Sequence, residues 1–382
     1  MSEPLTLLLL DVDGVLIHDG GYRAGVTATV DHFAAQMGLR GMAPTEAEVD
    51  AFHAAGFTNE WDLCAYVVGV LRLMVAQGKG GERPDYRSWV ERSRAYTGRP
   101  AQRALAALRT ELRRLALPDG RKEALERELR LLLADPYDVP RSPTTQVFQE
   151  FVLGSRLYAA HYGLPPRFET PSLLEREDRP ALTSAGRAAL ERLVAEAGVR
   201  VCVYTARPSG PPADADGRAS PLPPEAELGI RILGLERYPL IAMGRMQWLA
   251  DRHGEAVEAL TKPSPVQTLA ALGAAVSGTE GPALEAAYAL YRDGRLLPPL
   301  ADLVGRSGQL FILEDAVLGL QAAAGALRLL ERHGLTLRMR AVGVTPAPVK
   351  AEALAPYCEV IVPDVNAGLA WVEEIAGTPI LP

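Results

Sequence analysis

Two aspartates that follow the first apolar run of this chain could together bind a metal ion. Leu7 to Leu10 precede the motif Asp11-Val12-Asp13-Gly14. Residues two apart in an extended chain point the same way, so Asp11 and Asp13 can address one site, and Gly14 lets the backbone turn sharply behind them. Two carboxylates this close repel each other unless a cation or a shared proton relieves them, and Mg²⁺ is the usual solution. A calcium loop or a plain turn is also compatible with so short a motif.

Three further places carry side chains that could take part in chemistry, and the first two suit an anionic ligand. Thr205 ends the apolar run from Val201 to Tyr204, and its hydroxyl, with the N–H of Ala206, could bind a phosphate oxygen. Lys262-Pro263 opens a predicted helix whose first turn holds Pro265. A threonine that caps the next segment and a lysine at the surface are the simpler interpretations of these residues.

The third place is Glu314-Asp315, which follows the apolar run from Leu310 to Leu313 and precedes Gly319 and a predicted helix. Two adjacent acids directly after a fully apolar run are harder to explain as surface residues. They therefore add two candidate metal ligands to those of the first motif.

Short apolar runs that alternate with helical patterns must position these residues. Such runs are typical of strands buried on both faces of a parallel sheet. They predict an α/β fold with a Rossmann-like parallel sheet and helices on both faces. The predicted strands are Leu7 to Leu10, Val199 to Tyr204, Leu240 to Met243, Leu310 to Leu313, Ala341 to Val344 and, more weakly, Val360 to Val362.

The stretch after the first motif has little strand signal and much helix signal. Thr45-Glu46-Ala47-Glu48 is a capping box. Further helices are predicted over Glu60 to Gln77, Ala101 to Leu117, Arg121 to Ala134 and Gln146 to Tyr162. We predict an inserted helical domain over residues 19–179 and a core formed by residues 1–18 and 180–382. Because the insertion follows the first strand, it should lie at that strand's carboxyl end, where ligands of open α/β sheets bind.

The order of these motifs resembles the haloacid dehalogenase-like (HAD) hydrolase superfamily. The resemblance covers roughly residues 1–18 and 182–364, and FILEDAVLGLQAA followed by AVGVTP is similar to the phosphoglycolate phosphatase and β-phosphoglucomutase branch. The inserted domain resembles the helical C1-type cap of that branch. At about 160 residues it is longer than usual, and a second insertion, 276–307, separates Lys262 from Glu314.

The resemblance implies a Mg²⁺-dependent phosphatase that forms an aspartyl-phosphate. Asp11 would be the nucleophile and Asp13 the general acid and base, while Thr205 and Lys262 would hold the transferring oxygens. The metal would be held by the Asp11 carboxylate, the Asp13 carbonyl and Asp315, with Glu314 as a further ligand or as support for one. The substrate would be a small phosphorylated metabolite under a cap that excludes water, with Asn59, Glu60, Trp61 and Asp62 as candidate substrate contacts. Helix packing is the simpler interpretation of Trp61.

Net charge, cysteine content and the hydropathy pattern limit which partners and which cellular compartment are expected. Lys and Arg total 40 and Asp and Glu total 47, so the net charge is -7, which argues against a nucleic-acid partner. The three cysteines match no zinc motif and predict reduced thiols. With neither a signal peptide nor a membrane span in the pattern, we expect a cytoplasmic protein without a membrane partner, for which a homodimer is allowed.

Three other functions remain open at this point. A phosphomutase would use the same residues but transfer the phosphoryl group to a sugar hydroxyl. A dehalogenase of the same superfamily would need neither Asp13 nor the Glu314-Asp315 pair. A non-enzymatic metabolite-binding or regulatory protein on this fold would be favoured by a degraded motif, and none of the motifs is degraded.

Overall fold

The structure, a computed structural model, describes residues 5–215 and 222–376. It divides into two compact units. The first unit takes the described residues of 1–19 and 178–382, and the second unit, called here the inserted helical unit, takes residues 20–177. The inserted helical unit therefore begins soon after the Asp11-Val12-Asp13-Gly14 motif.

The first unit contains a six-stranded parallel sheet and a two-stranded antiparallel ribbon. The strands are β1 (Leu5–Leu10), β2 (Ile17–His18), β3 (Arg179–Pro180), β4 (Arg200–Tyr204), β5 (Leu240–Ile241), β6 (Ser307–Glu314), β7 (Thr336–Val344) and β8 (Val360–Val362). The sheet has the order β5-β4-β1-β6-β7-β8, and β2 pairs with β3 in the ribbon. The predicted Rossmann-like parallel sheet is confirmed.

Four consecutive leucines of β1, Leu7 to Leu10, explain its central place in the sheet. Leu7 and Leu9 pack into the core on one face, and Leu8 and Leu10 pack into the core on the other. All four are fully buried. Since burying a leucine contributes roughly 1.5–3 kcal/mol, a strand with leucines on both faces is most stable between two other strands. β4 and β6 are those neighbours.

All the secondary-structure elements of the inserted helical unit are helices. Its helices are α1 (Gly20–Gln36), α2 (Glu46–Ala54), α3 (Glu60–Ala76), α4 (Tyr86–Arg94), α5 (Pro100–Arg114), α6 (Asp119–Leu133), α7 (Pro143–Leu153), α8 (Ser155–Tyr162) and α9 (Leu173–Glu177). The predicted capping box is present, with Thr45 at the N-cap of α2 and Glu48 bonded back to it.

Eight further helices belong to the first unit. They are α10 (Ser184–Ala195), α11 (Glu225–Leu233), α12 (Met243–His253), α13 (Val266–Ser277), α14 (Gly281–Asp293), α15 (Val317–Glu331), α16 (Pro348–Leu354) and α17 (Val365–Ala376), with short 3-10 turns at Val257–Ala259 and Ala301–Leu303. None of the helices in residues 5–215 and 222–376 combines the length and the apolar character that a bilayer crossing requires.

Several predicted boundaries were wrong. The helix predicted over Gln146 to Tyr162 is two helices, because Gly154 adopts a positive φ of 78° between α7 and α8. The strand predicted to reach Met243 ends at Ile241, and Met243 begins α12. The helix predicted to open at Lys262-Pro263 begins later, at Val266, after Pro265. The composition of Arg207 to Pro224 predicts a loop, and residues 216–221 of it lie outside the described residues.

Asp62 is a buried carboxylate on α3 of the inserted helical unit. Its side chain is 1% exposed and accepts a hydrogen bond of 2.9 Å from the Tyr137 hydroxyl. Burial raises the pKa of Asp62 to about 6, although the Tyr137 hydrogen bond partly opposes this shift. The folded state therefore binds this proton more tightly than the unfolded state, whose carboxyl has the usual pKa of 3.8.

Because this pKa is raised, stability is lost as the pH rises through the range from about 4 to 6. We expect Asp62→Asn to be more stable than the wild type at pH 8, by roughly 3 kcal/mol, and to lose about 1 kcal/mol of that advantage at pH 5. Urea unfolding at both pH values measures this difference. Asp50→Asn, at an exposed position of the same unit, is the control and should change the free energy of unfolding by less than about 1 kcal/mol. An Asp62→Asn protein that is less stable at pH 8 would contradict the expectation.

Candidate active site

Three acidic side chains meet where the two central strands end. Asp11 directly follows β1, and its N–H donates to the carbonyl of Leu313 on β6 at 3.1 Å. Glu314 is the last residue of β6, and Asp315 follows it. One carboxylate oxygen from each of Asp11, Glu314 and Asp315 lies within 4.8 Å of the other two. The structure thus brings three of the predicted metal ligands to one place.

Lys262 lies inside this acidic group. Its Nζ is 2.7 Å from Oδ1 of Asp11 and 2.5 Å from Oε1 of Glu314, and it lies 4.0 Å from the ring centroid of Tyr204. Burial alone would lower the pKa of Lys262, but the two carboxylates raise it above its usual value. Lys262 is therefore an ammonium ion whose side chain is only 13% exposed, and the alternative of a surface lysine is wrong.

The positive charge of Lys262 does not balance the carboxylates around it. Burial raises the pKa of Asp11 well above its usual value, Lys262 opposes this shift, and Glu314 and Asp315 add to it. Burial also raises the pKa of Asp315, although Lys350 lowers it in part. Crowded carboxylates of this kind fit a divalent cation, because an added positive charge relieves their repulsion and oxygen atoms are the ligands that Mg²⁺ takes.

Glu314 is fixed from three directions. It is fully buried, it accepts hydrogen bonds from Lys262 and from the Tyr204 hydroxyl at 2.6 Å, and it lies against Gly319 at the start of α15. A Cβ at Gly319 would be 1.7 Å from Oε1 of Glu314. The glycine leaves the space in which this carboxylate lies.

Gly319→Ala is therefore expected to displace Glu314 and to lower the free energy of unfolding by about 1–3 kcal/mol, as overpacking does. Gly325→Ala on the same helix is the matched control, because its nearest heavy atom would be an ordinary 3.4 Å away. This second alanine should stabilise the helix by about 0.5–1 kcal/mol. Urea unfolding of both variants measures the contrast, and equal effects would contradict it.

Asp13 stands apart from the acidic group. Its Oδ1 accepts a hydrogen bond of 2.7 Å from Nε of Arg207, and its Oδ2 accepts one of 3.3 Å from the Thr205 hydroxyl. Its carboxylate is not among the three grouped oxygens in the part of the chain that the structure describes. The expectation from residue spacing, that both aspartate carboxylates address one ion, is therefore wrong for Asp13, because its carboxylate pairs with Arg207 instead. The resemblance implies the backbone carbonyl of Asp13 as the ligand, and that stays a prediction. Arg207 is a neighbour of Asp13 that the sequence analysis did not identify.

The two residues predicted to bind phosphate differ in exposure. Thr205 is buried at the end of β4, and its hydroxyl oxygen also accepts the N–H of Arg207 at 3.1 Å, as in a capping threonine. Ala206 is exposed. Phosphate binding by this pair stays a prediction.

Two of the residues predicted to contact substrate from the inserted helical unit, Asn59 and Trp61, have structural roles there. The Asn59 side chain caps α3 by accepting the N–H of Trp61 at 2.8 Å. Trp61 is buried, and its ring meets Tyr137 edge-on at a centroid distance of 5.4 Å. Their contact with substrate also stays a prediction.

The second insertion, 276–307, makes hydrogen bonds to the loop that follows Thr205. Glu280, which directly precedes α14, accepts hydrogen bonds from the N–H groups of Ala213 and Leu240 at 3.0 and 2.9 Å. It also pairs with the buried Arg245 at 3.1 Å. The insertion therefore ties the loop after β4 to β5 and α12.

Comparisons with known proteins support the fold. A crystal structure from the Northeast Structural Genomics Consortium, target ZR25, is 14% identical, with a TM-score of 0.60 over 97% of this chain and 98% of that chain. This similarity shows that the two chains share a fold. No protein-family model matches the sequence, and a search of curated proteins gives no significant match.

Two solved structures with activities in their names are more distant. Phosphatase Tt82 from Thermococcus thioreducens is 18% identical, with a TM-score of 0.46 over 97% of this chain and all of that one. A hydrolase from Pseudomonas syringae is 13% identical, with a TM-score of 0.34 over the same shares. At these TM-scores neither similarity bears on the activity of this chain.

Proposed function

We propose that this chain is a Mg²⁺-dependent phosphatase that hydrolyses a phosphate monoester of a small metabolite through an aspartyl-phosphate. The observation that carries the proposal is the convergence of Asp11, Glu314 and Asp315, with oxygens within 4.8 Å of one another, around the largely buried ammonium group of Lys262. Carboxylates that are buried at the ends of central strands cost stability, and a catalytic metal site explains why they are there.

Asp11 is the proposed nucleophile. Its carboxylate attacks phosphorus, the bond from phosphorus to the ester oxygen breaks, and Asp13 gives a proton to the departing oxygen. Asp13 then takes a proton from the water that attacks the aspartyl-phosphate, which releases inorganic phosphate and restores Asp11. The buried position of Asp11 beside a cation favours one fixed direction of attack.

The metal and Lys262 have complementary proposed roles. Mg²⁺, held by the carboxylates of Asp11 and Asp315 and the carbonyl of Asp13, with Glu314 as a further ligand or support, would supply positive charge against the phosphate dianion. Lys262 is held by Asp11 and Glu314 where its ammonium group can donate to a transferring oxygen. Tyr204 keeps Glu314, and through it Lys262, in place.

Turnover of p-nitrophenyl phosphate with Mg²⁺ and with EDTA tests this function. We expect hydrolysis that EDTA abolishes and that added Mg²⁺ restores, and a panel of phosphate esters would then identify the substrate class. Release of phosphate distinguishes the phosphatase from a phosphomutase, which would return an isomeric sugar phosphate. Tight binding of a metabolite without turnover of any ester would contradict the proposal and favour a regulatory protein.

A further inference from the structure

Arg207 is a buried arginine held between two carboxylates. It is 2% exposed. Its Nε and Nη2 lie 2.7 and 2.6 Å from the same oxygen, Oδ1 of Asp13, and its Nη1 donates to Oδ2 of Asp178 at 2.8 Å. Asp178 is also buried. A guanidinium group is costly to bury without anionic partners, and its planar fork fixes the direction of each hydrogen bond.

The backbone around both carboxylates is fixed. Ile17 and His18 of β2, a few residues after Asp13, pair with Pro180 and Arg179 of β3, which directly follows Asp178. The two carboxylates therefore flank one antiparallel ribbon, while Arg207 arrives from the end of β4. Asp178 binds the guanidinium group at Nη1, and the edge that carries Nε and Nη2 faces Asp13.

The two carboxylate oxygens of Asp13 have different partners. Oδ1 faces both Nε and Nη2 of Arg207. Oδ2 meets the Thr205 hydroxyl at 3.3 Å, a long contact for an O–H donor. Oδ2 is thus the oxygen better able to exchange a proton with a ligand.

We propose that Arg207 is a positioning residue for Asp13, anchored by Asp178, which holds Oδ1 and leaves Oδ2 to exchange the proton with the ester oxygen and with water. The inference rests on the proposed function and deepens it. It assigns to one buried arginine the orientation of the general acid. A purely structural ion pair is the competing explanation, and it would affect all substrates alike.

The dependence of rate on the leaving group separates the two explanations. The leaving group of an alkyl phosphate is an alkoxide, which departs poorly unless it receives a proton. The leaving group of p-nitrophenyl phosphate, p-nitrophenolate, departs with little help. General acid catalysis contributes about 10²–10⁴-fold where it is needed. We expect Arg207→Lys, which keeps the charge but loses the fork, to lower kcat for the alkyl ester at least roughly 10-fold more than for p-nitrophenyl phosphate. The KM values should change little.

Two further variants keep the test decisive. Asp178→Asn keeps Arg207 and removes its anchoring charge, so it should show the same selective loss to a smaller extent, even where Arg207→Lys fails to fold. Arg245→Lys is the matched control, because Arg245 is also buried and pairs with two carboxylates, Glu227 and Glu280, away from Asp13. It should affect both esters equally.

Equal losses on the two esters in Arg207→Lys and Asp178→Asn, with the wild type active, would overturn this inference alone. A wild type that hydrolyses neither ester in Mg²⁺ would overturn the proposed function and this inference with it. A selective loss on the alkyl ester that appears equally in Arg245→Lys would also overturn the assignment to Arg207.

Discussion

Asp11→Asn is expected to abolish ester hydrolysis while leaving the fold intact. The amide keeps the shape of the carboxylate but cannot form the aspartyl-phosphate, so kcat should fall by roughly 10⁴-fold or more, the scale of losses on removing a catalytic nucleophile. Burial raises the pKa of Asp11 well above its usual value, which means that the ionised side chain is unfavourable in its buried position. Stability in EDTA should therefore be retained or increased.

Steady-state kinetics and thermal unfolding in EDTA together measure this result. Asp293→Asn is the control, at an exposed acid at the end of α14, and its kcat should match that of the wild type. A variant at position 11 with more than a few per cent of wild-type kcat would contradict a nucleophilic role. A loss of activity that accompanies unfolding would leave Asp11 with a structural role instead.

Lys262→Ala is expected to have the second-largest effect, and on both activity and stability. It removes the cation that touches Asp11 and Glu314 and leaves both carboxylates buried and unpaired. Breaking a buried ion pair from one side costs about 3–5 kcal/mol, and loss of a charged group that stabilises the transition state costs roughly 10²–10³-fold in kcat. Urea unfolding in EDTA and steady-state kinetics in Mg²⁺ measure the two effects.

Lys350→Ala provides the stability control for this prediction. Lys350 pairs with Asp315 at 2.5 Å, but its side chain is 57% exposed. Because the ammonium group of this pair is solvent-exposed, the pair should contribute only about 1 kcal/mol, so this variant should lose much less stability in EDTA than Lys262→Ala. Equal stability of the two lysine variants would show that the burial of Lys262 does not have the energetic consequence inferred for it.

The sequence was sufficient to predict the sheet and the acidic group because both depend on local patterns. An unbroken leucine run is compatible with few positions other than the centre of a parallel sheet, which β1 occupies. Acids that directly follow such runs must lie at the ends of strands. Parallel strands end at one edge, so Asp11, Glu314 and Asp315 were expected to converge there, as they do.

The surroundings of Asp13 could not be predicted in this way. Arg207 is 194 residues from Asp13 and 29 from Asp178 along the chain, and nothing near it distinguishes it from a surface arginine. Its position two residues after Thr205, at a strand end, was the one available signal. Tyr204 was missed for a related reason, because an aromatic residue in a strand reads as core and does not reveal a hydroxyl bonded to Glu314.

Element boundaries were the other part that the pattern could not fix. Apolar spacing continues through Gly154, so periodicity alone predicted one helix where a positive φ separates two. At residues 240–243 an apolar run covers both the short β5 and the start of α12. In both places the backbone conformation of one or two residues decides the boundary, and side-chain hydrophobicity carries no information about it.

Chemical trapping of the phosphorylated residue tests the central claim most directly. The protein would be mixed with a phosphate ester it turns over in Mg²⁺, quenched, and treated with borohydride, which reduces an acyl phosphate to an alcohol, before the peptides are analysed by mass spectrometry. We predict reduction at Asp11 in the wild type and none in Asp11→Asn. Reduction at any other carboxylate, or turnover with an unmodified Asp11 peptide under conditions that trap a known acyl phosphate, would contradict the account.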